Sequence, residues 1–414
     1  MLARSARFVV TATIVVTTLA GRHALAGQAL SAAPLAETDV GDLLRAIRNK
    51  PPPPPVDPNN PQPRMFVVAP VIGAKPDTGV LFGAAGNIAT YHGDPRTTHI
   101  STSVLSATVS QHGQVLTAVR LTTFTKDDGW LIVGDNRFQW TSQDTFGLGT
   151  SSEGEDAVNV HYDHFRVFET AYKRLAPGLF AGGGLLSSTR QNIRPDDGQE
   201  ATWESSPFWT YSAAHGLPLD SSTSGGFSVA ARNDTRDSQI DARTGRYASV
   251  TYETFFKGFF GGDSSWQEID VDARMYRNVS KDGRQRLAFW GMGDFVVAGI
   301  PPYYDLPATG MDTFGRSGRG YQEGRFRGEQ LMYGEVEYRR TLMENGLLGM
   351  VAFLNATTVS SRDRDEHLFE SVAIGGGAGL RLLLNKRSRT NLCADLGFGK
   401  NGSVGFYLAV QEAF

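Results

Sequence analysis

Cysteine is almost missing from this chain: Cys393 is the only one in 414 residues. A single thiol can form neither an internal disulfide nor a thiolate metal cluster. No H-E-x-x-H pair occurs, and His161 and His164 match neither common zinc spacing, so they read as strand or loop residues. No metal and no cofactor is expected. An excess of positive charge is also lacking, with 40 Lys and Arg against 43 Asp and Glu. Nucleic acid, which demands a basic surface, is therefore not an expected partner. Past the first 26 residues no continuous apolar run is long enough for a spanning helix, which needs about 20 residues.

Those first residues, MLARSARFVVTATIVVTTLAGRHALA, place Arg4 and Arg7 before an apolar run from Phe8 to Ala20 and an Ala24-Leu25-Ala26 site. The pattern is that of a secretory signal peptide cleaved before Gly27. No Cys follows the site, which excludes lipoprotein processing. Cleavage removes three arginines and no acid, leaving 37 basic against 43 acidic groups.

Residues 27–65 form a separate segment, expected on the periplasmic side. Between Glu37 and Asn49, Val40, Leu43, Leu44 and Ile47 fall at helical spacing with Thr38 available as a cap, so a short amphipathic helix is predicted. PPPPPVDPNNPQP, residues 51–63, follows as an extended spacer. Residues 66–414 show no second linker and read as one large all-β unit.

In that unit apolar and polar residues alternate with period two. Ile269, Val271, Ala273 and Met275 fall on one face of Trp266–Arg277, while Glu268, Asp270, Asp272 and Arg274 fall on the other. A soluble sandwich alternates too. The length of the runs, up to ten or more residues, and aromatics near their ends (Tyr91, Trp130, Trp140, Tyr172, Phe255, Phe256) favour membrane-spanning strands. A mean hydropathy of −0.25 is compatible with a barrel whose interior is polar. Sixteen strands are predicted: 79–92, 97–110, 114–124, 130–140, 158–172, 178–188, 206–216, 225–233, 246–256, 264–277, 284–298, 329–340, 347–358, 373–385, 389–399 and 404–414. Residues 66–73 are then left as a lead-in strand or plug. The even count leaves both ends in the periplasm.

No catalytic constellation emerges, and no enzymatic activity is expected. Gly397-Phe398-Gly399-Lys400-Asn401-Gly402 is a lone G-x-G-x-x-G with no helix after it. Asp127-Asp128 and Asp196-Asp197 precede glycines and read as turns. The unusual stretch is GRSGRGYQEGRFRGE, residues 315–329, where four arginines crowd among glycines around Tyr321 and Phe326.

Together with DTRD at 234–237, RTGRY at 243–247 and a final Phe414, this stretch resembles the BamA-like assembly barrels, the bacterial surface antigen family. The resemblance covers about Gly79 to Phe414. It implies a 16-stranded antiparallel transmembrane β-barrel in the outer membrane of a Gram-negative bacterium, with a long sixth loop folded inward. Arg319-Gly320-Tyr321 matches the loop-tip tripeptide, and eleven predicted strands precede the loop while five follow it. A guanidinium drawn into the lumen needs carboxylates, which a planar fork can hold bidentately. Asp395 is the first candidate partner and Glu337 the second, with Arg339 beside them on the lumen face. The family often has Arg where Cys393 stands, which implies an altered pairing network here. Phe414 is implied as the terminal signal read by the barrel-assembly machinery during biogenesis. Residues 27–65 are too short for the periplasmic POTRA domain of better-known members.

The resemblance implies a non-enzymatic barrel, with outer-membrane lipid around it and a periplasmic adaptor or client proteins as partners, that assists insertion or transport of proteins or lipids. Gly79–His92 and Val404–Phe414 would meet at its seam. A passive pore or structural barrel, and a secreted soluble β-protein, are the competing readings.

Overall fold

The structure is a computed structural model in which residues 37–51, 64–75, 79–111, 113–154 and 157–414 are described. The leader and the proline run from 52 to 63 lie outside them. Sixteen strands form the wall. They are β1 (Met65–Lys75), β2 (Gly79–Thr90), β3 (Ser101–Ser110), β4 (Val115–Phe124), β5 (Trp130–Thr145), β6 (Val158–Ala176), β7 (Leu179–Pro195) and β8 (Ser222–Asp234). β9 (Gly245–Phe255), β10 (Trp266–Asn278), β11 (Gln285–Gly299), β12 (Gln330–Thr341), β13 (Leu348–Ser360), β14 (Ala373–Asn385), β15 (Thr390–Phe398) and β16 (Val404–Val410) complete it. Each pairs antiparallel with its sequence neighbours, and β16 returns to β1 to close the barrel. Among the described residues no helix is long and apolar enough to cross a membrane, and the strands do so.

The period-two pattern sets the two faces. On β10, Val271, Ala273 and Met275 are exposed on the outside, while the alternate residues Glu268, Asp270, Asp272 and Arg274 line the lumen. A register slip of one residue would turn these charges into lipid, so the alternation fixes the pairing.

Two elements differ from expectation, and their effects on the strand count cancel. Met65–Lys75 is a full wall strand rather than a lead-in, pairing with β2 from Met65↔Ala89 to Lys75↔Gly79. The seam is therefore β1 against β16, not 79–92 against the C-terminal strand. Residues 206–216, expected as a strand, contain helix α2 (Pro207–Ala214) in the β7–β8 loop. Ser206 caps it by accepting from the Trp209 N–H at 3.2 Å, and Pro207 occupies its first turn. That Ser-Pro start favours a helix, because proline has no N–H to give a strand ladder. Phe208 and Tyr211, three apart, then reach one side and pack on Tyr303 and Tyr304 at the base of the long loop.

Closure at the seam is slight. Among the described residues β1 and β16 meet at a single residue pair, Ala74↔Phe406, whereas β15 and β16 pair from Leu392↔Val410 to Phe398↔Val404. Extending the seam register sets Pro70 opposite Val410, where proline offers no donor. Just beyond, Gln411 has φ +87°, and the chain turns inward.

The lower mouth is crossed by the β8–β9 loop, which carries DTRD and RTGRY. Asp237 accepts from Arg389 in the β14–β15 turn at 2.6 Å, and Asp241 pairs with Arg286 of β11 at 3.0 Å. Ile240 is buried against Met65 and Ala89. Gly245 ends the loop at φ +95°, where a Cβ would stand 2.2 Å from the Thr235 carbonyl oxygen.

Helix α1 (Val40–Ile47) sits at the same rim. Its cap is Asp39 rather than Thr38: Asp39 Oδ1 accepts from the Asp42 N–H at 2.8 Å, and Asp42 Oδ2 accepts from the Asp39 N–H at 3.2 Å. The Thr38 N–H instead donates to Asn345 O in the β12–β13 turn, at 2.8 Å. Lys386 Nζ donates to Asp42 Oδ2 at 2.6 Å. Burial raises the Asp42 pKa, but the Lys386 ammonium and the Asp39 N–H outweigh it and hold the carboxyl below its usual range. Leu43, Leu44 and Ile47 point away from these contacts and remain exposed.

Candidate functional site

The β11–β12 connection, residues 300–329, folds back as a hairpin into the lumen. The Thr309 N–H donates to Phe326 O at 3.0 Å and the Gly324 N–H to Thr309 O at 2.7 Å. Its stem is gripped from several walls. Asp305 accepts from Arg190 of β7 and from Ser224 of β8, each at 2.6 Å. Arg327 donates to the carbonyls of Tyr303 and Leu306, at 3.0 and 3.2 Å, and Arg325 reaches Ser152 in the β5–β6 loop. Two of the four arginines thus tie the loop to itself and to a neighbour.

Arg319 does something else. Its side chain is fully buried and its guanidinium is shared by three carboxylates from two strands. Nη1 donates to Asp395 Oδ2 of β15 at 2.7 Å, and Nη2 donates to Glu335 and Glu337 of β12. Its face lies on the Phe353 ring, 3.8 Å from the centroid. Gly320 has φ +109°, and a Cβ there would lie 2.6 Å from the Phe398 carbonyl oxygen, so only glycine lets the loop approach the wall this closely. The Tyr321 hydroxyl donates to Ile374 O of β14 at 2.6 Å and accepts from the Lys400 N–H at 2.9 Å. Each residue of the tripeptide therefore has its own address on the wall. Arg316, by contrast, binds Asp312 through its backbone N–H at 2.7 Å, and among the described residues its side chain makes no ion pair.

Asp395 and Glu337 both meet Arg319, and Arg339 does not. Arg339 stands behind Glu337, donating from Nε to Glu337 Oε2 at 2.6 Å and from Nη2 to Phe414 O at 3.0 Å. Phe414 itself is buried inside the lumen, with ring centroids 5.2 Å from Trp290 and 6.2 Å from Tyr276. Glu335 is not among the partners expected from the sequence, although it shares a face with Glu337 two residues on. Arg381 was missed as well. It sits on β14 directly across from Cys393, pairs with Asp395, and donates to Glu412 Oε2 at 2.7 Å. The guanidinium that the resemblance implies at 393 is thus supplied from the neighbouring strand, while Cys393 Sγ donates to Gln411 O at 3.1 Å.

Around the loop a cavity of about 330 Å³ remains, lined by Arg166, Arg232, Arg274, Glu253 and Asp270 among others. These ion pairs and hydrogen bonds anchor the loop to the wall.

The Omp85 superfamily domain matches residues 184–393, just over half of the 414. The chain belongs to the Omp85 superfamily. It is an outer-membrane barrel of a Gram-negative bacterium, and its fold is shared by solved relatives of low sequence identity. BamA from Haemophilus ducreyi lacking POTRA domains 1–3 is similar at 12% identity with a TM-score of 0.52, over 84% of this chain and 69% of that one. CdiB from Acinetobacter baumannii is similar at 13% identity and TM-score 0.53, over 83% of this chain and 59% of that one. CdiB from Escherichia coli gives 13% identity and TM-score 0.54, over 83% and 61%. The chain thus spans about three-fifths of the CdiB chains. No curated protein matches it.

Proposed function

We propose that this Omp85 barrel is non-enzymatic and works at its seam, helping to insert or translocate polypeptides at the outer membrane. The observation that carries the reading is that, among the described residues, β1 closes on β16 through the one pair Ala74↔Phe406. A strand edge left largely unpaired is a template on which an incoming strand can add by main-chain hydrogen bonds. The lumen supports the same reading: a loop anchored on β7, β8, β12 and β15 crosses it, which does not suit a passive pore.

In a Cys393→Ser background, Ala74→Cys with Phe406→Cys allows a disulfide across the seam at its paired position Ala74↔Phe406. Oxidised barrels in proteoliposomes are expected to assemble an unfolded outer-membrane client at least tenfold more slowly than the same barrels after reduction. Equal rates in the two states would remove seam opening from the mechanism.

A client must also be delivered from the periplasm, and α1 offers a docking place for a separate adaptor. Asp42 turns toward the rim and Lys386, while Leu43, Leu44 and Ile47 form an apolar stripe that the barrel does not use. Deleting residues 35–63 is expected to abolish co-purification of a periplasmic protein with unchanged barrel folding. Increased single-channel conductance with no partner lost would make the segment a plug instead.

A further inference from the structure

One carboxylate of this barrel points the wrong way. On β6 the residues alternate between lumen and lipid, and Phe165, Val167, Glu169, Ala171 and Lys173 share the outer face. Phe165 and Val167 are exposed there, as are Ile132 of β5, Leu185 of β7 and Phe227 of β8 around them. Lys173 lies over the Trp130 ring, 4.9 Å from its centroid, which marks the lower interfacial girdle. Trp140, exposed on the same face of β5, marks the upper one. Glu169 lies between them, within the hydrocarbon belt. An ionisable side chain at that depth is disfavoured unless something outside the barrel satisfies it.

The site is shaped to hold it. A Cβ on Gly134 would fall 2.5 Å from Glu169 Oε1, so glycine on β5 lets the carboxylate lie flat against the wall. There Asn136 Nδ2 donates to Glu169 Oε1 at 2.7 Å. Among the described residues no cation comes within 4 Å of this carboxylate. Beside the pair opens a groove of about 450 Å³ on the outer wall, bordered by Ile132, Glu169, Gly183, Leu185 and Phe227. One carboxylate accepts several hydrogen bonds and Asn136 supplies one. The amide has a second N–H to give.

We propose that this face of β5–β8 is a homodimer interface, in which a second copy of the chain packs about a two-fold axis and each Asn136 amide donates to the other copy's Glu169. The pair is self-complementary, a donor and an acceptor side by side, as an isologous contact requires. Gly134, Ala171, Ala181 and Gly183 on the same face allow two walls to come close, and polar contacts between close-packed segments are the usual adhesive inside a bilayer. An acyl chain would fill the groove but bring no donor to the carboxylate. The face also begins four strands from β1, so pairing there leaves the seam free.

The test uses the full-length barrel in native membranes. In a Cys393→Ser background, Ala171→Cys should be cross-linked by a short bis-maleimide to an adduct of twice the monomer mass, whereas Ala378→Cys on the outer face of β14 should not. Adding Glu169→Leu should lower the dimer yield at least fivefold while the heat-modifiable gel shift of a folded barrel persists, and Glu169→Gln, which still exchanges hydrogen bonds with Asn136, should retain most of it. Absence of the Ala171→Cys dimer would overturn the proposal. So would a yield unaffected by Glu169→Leu, or an adduct with a different protein.

Discussion

Replacing Arg319 with alanine is expected to destabilise the inward loop by about 3–5 kcal/mol, the range measured when one partner of a buried ion pair is removed. The geometry favours a large value, because the guanidinium is fully buried and answers Asp395, Glu335 and Glu337 together. Without it, Arg339 and Arg381 remain to balance those three carboxylates and Glu412. The loop should become open to limited proteolysis between residues 305 and 329, and the urea midpoint of the refolded barrel should fall. Arg316→Ala is the control: its backbone makes the Asp312 contact, so the change should stay within about 0.5 kcal/mol. Arg319→Lys should recover only part of the loss, since an ammonium cannot fork between carboxylates on two strands. Equal protease sensitivity of the Arg319 and Arg316 variants would show that the cluster does not hold the loop.

The anchor was partly legible in the sequence because its two halves carry different kinds of signal. Arg319-Gly320-Tyr321 is a local motif, readable from three residues. Asp395 could be assigned to the lumen because alternation along β15 puts Ala394 and Leu396 on the other face. Parity gives a face but not a partner, so Glu335 and Glu337, two apart on β12, were indistinguishable from one strand alone. Arg381 lay beyond reach for a stronger reason. It reaches Asp395 from a different strand, through the pairing Arg381↔Cys393, and no local pattern encodes that register.

The fold behaved likewise. Long alternating strands such as β10 are visible in the sequence, whereas β1 carries Pro70, which has no N–H to give a ladder and weakens a strand signal. In the β7–β8 loop Ser206-Pro207 holds the local signal for the helix found at Pro207–Ala214. Leaving Met65–Lys75 out of the wall shifts the expected seam by one strand, and the extra strand expected at 206–216 restores the number to sixteen, so a correct count is no evidence of a correct closure.

Truncating Phe414 to alanine is expected to lower the stability of the refolded barrel by about 3 kcal/mol, the low end for loss of a buried phenylalanine ring. An aromatic that ended a strand on the lipid side would lose much less. Here the ring is only 6% exposed and packs on Trp290 and Tyr276 inside the lumen, in the same cluster as Tyr321 of the inward loop. Arg339 donates to the Phe414 oxygen and to Glu337, and Glu337 in turn accepts from Arg319, so the chain's end and the loop tip share one ion cluster. The inward bend at Gln411 that delivers Phe414 to this cluster also carries the last residues of the chain away from β1, beside Pro70. Loss of the ring should therefore have a second effect, increased protection from hydrogen exchange in Met65–Val71, as the freed tail extends along β1. Refolding from urea separates this anchoring role from recognition during biogenesis. If Phe414 serves only as a signal for the assembly machinery, Phe414→Ala will accumulate poorly in cells yet refold to a barrel of unchanged urea midpoint. If it anchors the tail, the refolded variant will be destabilised, and combining it with Trp290→Leu will cost less than the sum of the two single changes, because both remove the same contact.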